Sequence, residues 1–197
     1  MEKMIEMNGG SKVSLLVEGY PRYGFQVFSK LLDGRRKGIC VTRLHPGYVV
    51  QKYGLHNVKC YWLSGCKSKD VVSSKSLSQM VKVLKAGVKA DKDVVVFLDG
   101  LEYLLIWNDM GKIMSSLSEI DSALSGTRAE MLVCIDPLTL EQRDLDRLYE
   151  AFPRRNANEV LALGTSSRSQ QTSGVLQETE SQTVGGLLQS RVLHATP

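Results

Sequence analysis

The stretch VVVFL, Val94 to Leu98, constrains this chain more than any other. Its continuous apolar, β-branched character predicts a strand with both faces buried, which needs a covering layer on each side. Other β-like runs recur at Val13 to Glu18, at Ile39 to Arg43, which the breaker His45-Pro46-Gly47 ends, at Val58 to Leu63 and at Met131 to Ile135. Segments with helical period lie between them. Phe25, Phe28, Leu31 and Leu32 share one face of Gly24 to Leu32. Leu77, Val81, Leu84 and Val88 follow the N-cap candidate Ser76, with Lys75, Lys82, Lys85 and Lys89 left to water. Ile113, Leu117, Ile120 and Leu124 form another stripe, and Asp136 with Pro137 begins a helix ending near Phe152. The alternation predicts a three-layer α/β/α domain with a mainly parallel sheet of about five strands.

The chain divides by composition into an N-terminal extension over 1–9, an α/β core over 10–152 and a C-terminal tail over 153–197. From Gly164 to Gly186, 17 of 23 residues are Ser, Thr, Gln or Gly, and no aromatic residue follows Phe152, so a flexible tail is expected. Within it, Glu159 to Leu163 is a candidate edge strand and Val184 to Leu193 a candidate helix or partner-binding segment. The start MEKMIEMNGG has no apolar h-region, and Asp99, Gly100 and Glu102 interrupt the apolar stretch from Val94 to Trp107, so no membrane span is expected. Cys40, Cys60, Cys66 and Cys134 show no C-x-x-C spacing and read as free thiols in a reducing, cytoplasmic setting. His56, Cys60 and Cys66 match no common zinc pattern, and no metal or cofactor is expected.

Charge is uneven. Residues 1–100 carry 17 Lys and Arg against 8 Asp and Glu, which leaves 8 against 13 for the remainder of a chain whose formal charge is +4. That polarity favours an acidic partner, nucleic acid or head-to-tail self-association. Basic and aromatic residues do not interleave as a stacking surface requires, so nucleic acid is not the expected partner.

In a parallel sheet, ligands bind outside the carboxyl ends of the strands. The positions there are Gly19 to Gln26, Arg43 to Pro46, Ser64 to Cys66, Asp99 to Glu102 and Asp136 to Pro137. The first, GYPRYGFQ, places Gly19 and Gly24 with the spacing of a phosphate-cradling loop, G-x-x-x-x-G-K-[ST]. Phe25 and Gln26 stand where lysine and a hydroxyl would be needed, and Pro21 has no N–H to donate. Arg22 is the remaining cation in the loop.

Taken in order, GICVTRLHP, WLS, VVFLDGLEYLLIWN and CIDPLTLEQRDLDRL resemble the archaeal domain-of-unknown-function family 835, through LDGLEYL, T-R-x-x-P and D-P-x-T-L, over about residues 10–152. That resemblance implies no established activity; family members occur in archaea, some with membrane segments or signalling modules attached. The family is similar, more distantly, to KaiC and RecA-like ATPases, which implies a RecA-like domain with a degenerate phosphate loop. In KaiC-like enzymes a catalytic carboxylate follows the second strand; here Arg43 occupies that place, and a guanidinium that stays protonated cannot act as a general base.

Asp99, ending VVVFLD, fits a metal-binding acid, but Asp99-Gly100-Leu101-Glu102 also has capping-box spacing. A third arrangement pairs Arg43 with Asp99 at adjacent strand ends. The expected function is a non-catalytic signalling or protein-interaction module, with Tyr20, Arg22, Arg43, Trp62, Asp99 and Glu102 forming the ligand or partner surface. The alternatives are a nucleotide-binding switch without rapid hydrolysis and a RecA-like nucleic-acid binder using Arg35, Arg36 and Lys37. Partners are expected to be proteins, possible second copies of the chain among them.

Overall fold

The computed structural model describes residues 10–20, 22–66 and 68–162. Seven strands, β1 (Val13–Val17), β2 (Gly38–Thr42), β3 (Val58–Leu63), β4 (Val71–Val72), β5 (Val95–Asp99), β6 (Glu130–Ile135) and β7 (Arg154–Arg155), form one sheet in the order β4-β3-β2-β5-β6-β1-β7. Every pairing is parallel. The helices are α1 (Gly24–Leu32), α2 (Pro46–Tyr53), α3 (Leu77–Ala90), α4 (Leu101–Leu105), α5 (Met110–Leu124) and α6 (Gln142–Ala151). A RecA-like arrangement fits this sheet.

Strand alternation divides the core. Val13, Leu15, Val41, Val96, Leu98, Met131 and Val133 face α3, α4, α5 and α6, whereas Leu16, Cys40, Val95, Phe97, Leu132 and Cys134 face α1 and α2. Two covered faces are what the unbroken apolar β5 requires, and all five of its residues are buried.

The count is seven strands rather than about five because β4 and β7 have two residues each, too short to show periodicity. The outer edge is Arg154–Arg155 paired with Leu15 and Leu16; the expected edge strand beginning at Glu159 is absent, since 157–162 are helical. The candidate segment from Val184 to Leu193 lies outside the described residues.

Helix α2 occupies what the sequence suggested was a breaker. Pro46 sits at the first turn, where its missing N–H costs nothing, and Gly54 closes the helix at φ 58°. Asp136-Pro137 begins only a 3-10 turn, Pro137–Thr139, and α6 starts afresh at Gln142.

Candidate functional site

Strand order makes β2 and β5 neighbours, and their register sets Thr42 beside Asp99. The buried Thr42 hydroxyl donates to Asp99 Oδ2 at 2.9 Å and accepts from the Leu44 N–H at 3.0 Å. Arg43 then leaves β2 with Nε 3.9 Å from Asp99 Oδ2 and Nη1 2.8 Å from Glu102 Oε1. Arg22 enters from the loop after β1, with Nη1 3.9 Å from Asp99 and 3.6 Å from Glu102, and Nη2 donating to Asp136 Oδ2 at 3.3 Å. Two guanidinium groups thus face three carboxylates contributed by β5, α4 and the end of β6.

The Arg43–Asp99 juxtaposition expected from the sequence is present, though Arg43 lies closer to Glu102. The capping box is not formed. Asp99 is the last residue of β5, Gly100 at φ 112° is the N-cap of α4, and no side chain caps that helix. Asp99 is instead turned toward Thr42, and Glu102 toward the arginines. Asp136 does both jobs, its Oδ1 accepting from the Leu138 N–H while Oδ2 meets Arg22.

The loop after β1 is occupied by the protein's own acid. Glu18 Oε2 accepts the Tyr23 N–H at 2.8 Å, and Gly24 N–H also stabilises this carboxylate, so the amides leading into α1 are engaged by Glu18. Burial raises the Glu18 pKa, opposed by these backbone hydrogen bonds. Phe25 lies in the core, stacked on Tyr53 at 4.7 Å and tilted against Phe97 at 5.0 Å, while Gln26 is exposed. Pro21 lies outside the described residues.

Trp62 supports the cluster from β3, its Nε1 donating to the Arg43 carbonyl at 3.1 Å with His45 at its edge. Tyr20 is not part of it: the side chain is 98% exposed. Ser64 and Cys66 close the β3–β4 turn instead. Sequence reasoning missed Glu18 and Thr42. The signal available for Glu18 was an acid ending an apolar strand directly before a glycine loop.

The thiol nearest the cluster is not activated. The Cys134 thiol beside Glu18 and Gly24 is pushed well up by burial and then by the Glu18 and Asp99 charges, so it stays protonated. Among the described residues, no group of three or more His, Cys, Asp or Glu side chains is disposed to hold a metal ion. No described helix is long and apolar enough to cross a membrane.

A family model, Protein of unknown function (DUF835), matches residues 20–152. The chain belongs to this family. The DUF835 span takes in Arg22, Arg43, Asp99, Glu102 and Asp136, and Glu18 lies just before it. Comparison with the curated proteins gives no match.

Burial also raises the Asp99 pKa, against the Thr42 hydrogen bond and the Arg43 charge. A carboxyl whose folded pKa exceeds its unfolded value favours the fold below the unfolded pKa, and that contribution is lost as pH rises through the folded value. Asp99→Asn should therefore gain stability relative to the parent as pH rises from 3.8 through the raised value, by about 1.4 kcal/mol per pKa unit of the raise. Urea unfolding of both proteins at pH 3.5 and pH 7 measures this; a variant that loses ground at the higher pH contradicts the assignment.

Proposed function

We propose that this domain is a non-catalytic signalling or protein-interaction module built on a degenerate RecA-like nucleotide-binding scaffold. The observation that carries the reading is the Glu18 carboxylate on the Tyr23 N–H, in the position where a phosphate would be received. Phe25 in the aromatic core and Arg43 against Asp99 and Glu102 support it, because each replaces a group that nucleotide hydrolysis requires. The core responsible is the 10–152 unit together with β7, which completes the edge of its sheet. Its working surface is the carboxyl end of the sheet, where Tyr20 and Leu138, 98% and 94% exposed, flank the arginine–carboxylate cluster. Four free cysteines suit a reducing cytoplasm.

Nucleic-acid binding through the basic turn is disfavoured by the pairing of two of its three cations. Arg36 lies 3.2 Å from Asp93 and 2.6 Å from Glu130, and Lys37 lies 3.3 Å from Asp91. These groups sit before β2, at the opposite end of the strand from Arg43.

Isothermal calorimetry with ATP, GTP and cyclic dinucleotides tests the reading. No saturable heat is expected for any of them at millimolar concentration. Saturable binding that disappears in Arg43→Ala would replace the module with a nucleotide-binding switch.

A further inference from the structure

The lysines of α3 are unusually one-sided. Lys82, Lys85 and Lys89 follow one another at spacings of three and four, which aligns them along one stripe of α3, and Lys75 and Lys92 lie just outside its two ends. From Lys75 to Ala90 the chain contains no Asp or Glu. All five lysines are exposed. Lys85 meets Glu119 at 2.9 Å; Lys75, Lys82, Lys89 and Lys92 have no carboxylate partner among the described residues.

An apolar trough borders the stripe at one end, and a groove lined mostly by serines, Asn108 and charged side chains borders it at the other. Toward the helix C-terminus, Lys85, Lys89 and Lys92 rim a trough of about 470 Å³ between α3 and α5, floored by Ala86, Val88 and Ala123. Toward the N-terminus, a groove of about 850 Å³ holds Trp107, 53% exposed, with the Lys75 ammonium 4.0 Å from its ring centroid. Asn108 Nδ2 donates to Ser74 O and Leu104 O, both at 2.8 Å, and so ties the loop before α3 to the one before α5. The groove is thereby held in shape before anything binds. In the first turns of α3 and α5 the Gln79 and Lys112 N–H groups are held by Ser76 and Asp109, and the lysines supply the charge that attracts an anion.

We infer that the α3–α5 face docks an acidic amphipathic segment of a partner protein, its carboxylates along the lysine stripe and its apolar side chains in the α3–α5 trough and against Trp107. Charge complementarity selects acid, and the apolar floor selects a polypeptide over nucleic acid, which would leave the trough unfilled. A single aromatic residue, already carrying a lysine over its ring, makes a poor stacking path for bases. The inference rests on the interaction-module reading and names the chemistry of its partner.

The test uses the full chain and a fluorescein-labelled twelve-residue peptide of repeating Glu-Glu-Leu-Leu, read by anisotropy. Saturable, salt-sensitive binding is expected, weakened at least tenfold in the triple variant Lys82→Gln, Lys89→Gln, Lys92→Gln, whose exposed side chains leave the core untouched. A Glu-Glu-Ser-Ser peptide should bind at least tenfold more weakly, because it cannot fill the apolar trough. Absence of saturable binding, equal affinity for the triple variant, or oligothymidylate binding as tightly as the peptide would overturn the proposal. The nucleotide calorimetry separates the two readings: nucleotide binding would remove the module and leave the peptide result standing, while peptide failure leaves the calorimetric result untouched.

Discussion

Phe97→Ala is expected to lower the unfolding free energy by about 3–5 kcal/mol, the range for deleting a fully buried aromatic side chain. Phe97 projects from the central strand β5 with no solvent exposure, stacked against Phe28 at 4.9 Å and tilted against Phe25 at 5.0 Å. Phe25 in turn stacks on Tyr53, so this one ring joins the sheet to α1 and, through it, to α2. Its removal opens a cavity where three elements meet and forfeits two ring contacts, each worth about 0.5–1.5 kcal/mol beyond area burial. Urea denaturation should show a lower midpoint with an unchanged m-value; Phe97→Leu, which keeps most of the volume, should cost less. A loss under about 1 kcal/mol for the alanine variant would mean the aromatic cluster is not the keystone of that face.

Gly24→Ala is expected to destabilise by about 1–3 kcal/mol, against the intrinsic preference of a helix for alanine. A Cβ at this position would come within 2.5 Å of Cys134 Sγ, 2.9 Å of Glu18 Oε1 and 3.1 Å of Phe97 Cζ. Cys134 and Phe97 are buried, and Glu18 is held by loop amides, so none yields freely. Gly19, the other glycine of the pair, has open space around its Cβ position and no positive φ. Gly19→Ala should therefore stay within about 0.5 kcal/mol of the parent. Thermal or chemical unfolding of both variants separates them, and Cys134→Ala combined with Gly24→Ala should recover part of the loss if the sulfur is the obstacle. Equal effects at Gly19 and Gly24 would restore the phosphate-loop explanation, under which both glycines serve one turn.

Much of the architecture was legible because burial leaves a local mark. Val94 to Leu98 could be placed inside the sheet from five residues, and α3 and α5 from the period of their leucines, isoleucines and valines. Helix α2 was obscured because Pro46 reads equally as a stop and as a first helical residue; only the following backbone decides between them. The edge strands β4 and β7 gain their identity from a neighbour, Val71–Val72 from β3 and Arg154–Arg155 from β1, and two residues carry no pattern of their own.

At the site, the sequence by itself determined the inventory: two arginines, the acids at the strand ends, and a loop without its lysine or hydroxyl. It also determined that these would gather at one end of a parallel sheet, since every strand in such a sheet points the same way. Only the tertiary structure decided which partner each charge takes. Thr42 meets Asp99 across 57 residues of chain and Arg22 meets Asp136 across 114, pairings set by strand order rather than by any local motif. It also decided that Glu18 turns back onto the loop amides and that Asp99 leaves its helix uncapped. The physical reason is common to both. A buried carboxylate must find donors close by, and which donors are close is a property of the packed sheet, not of the neighbouring residues in sequence.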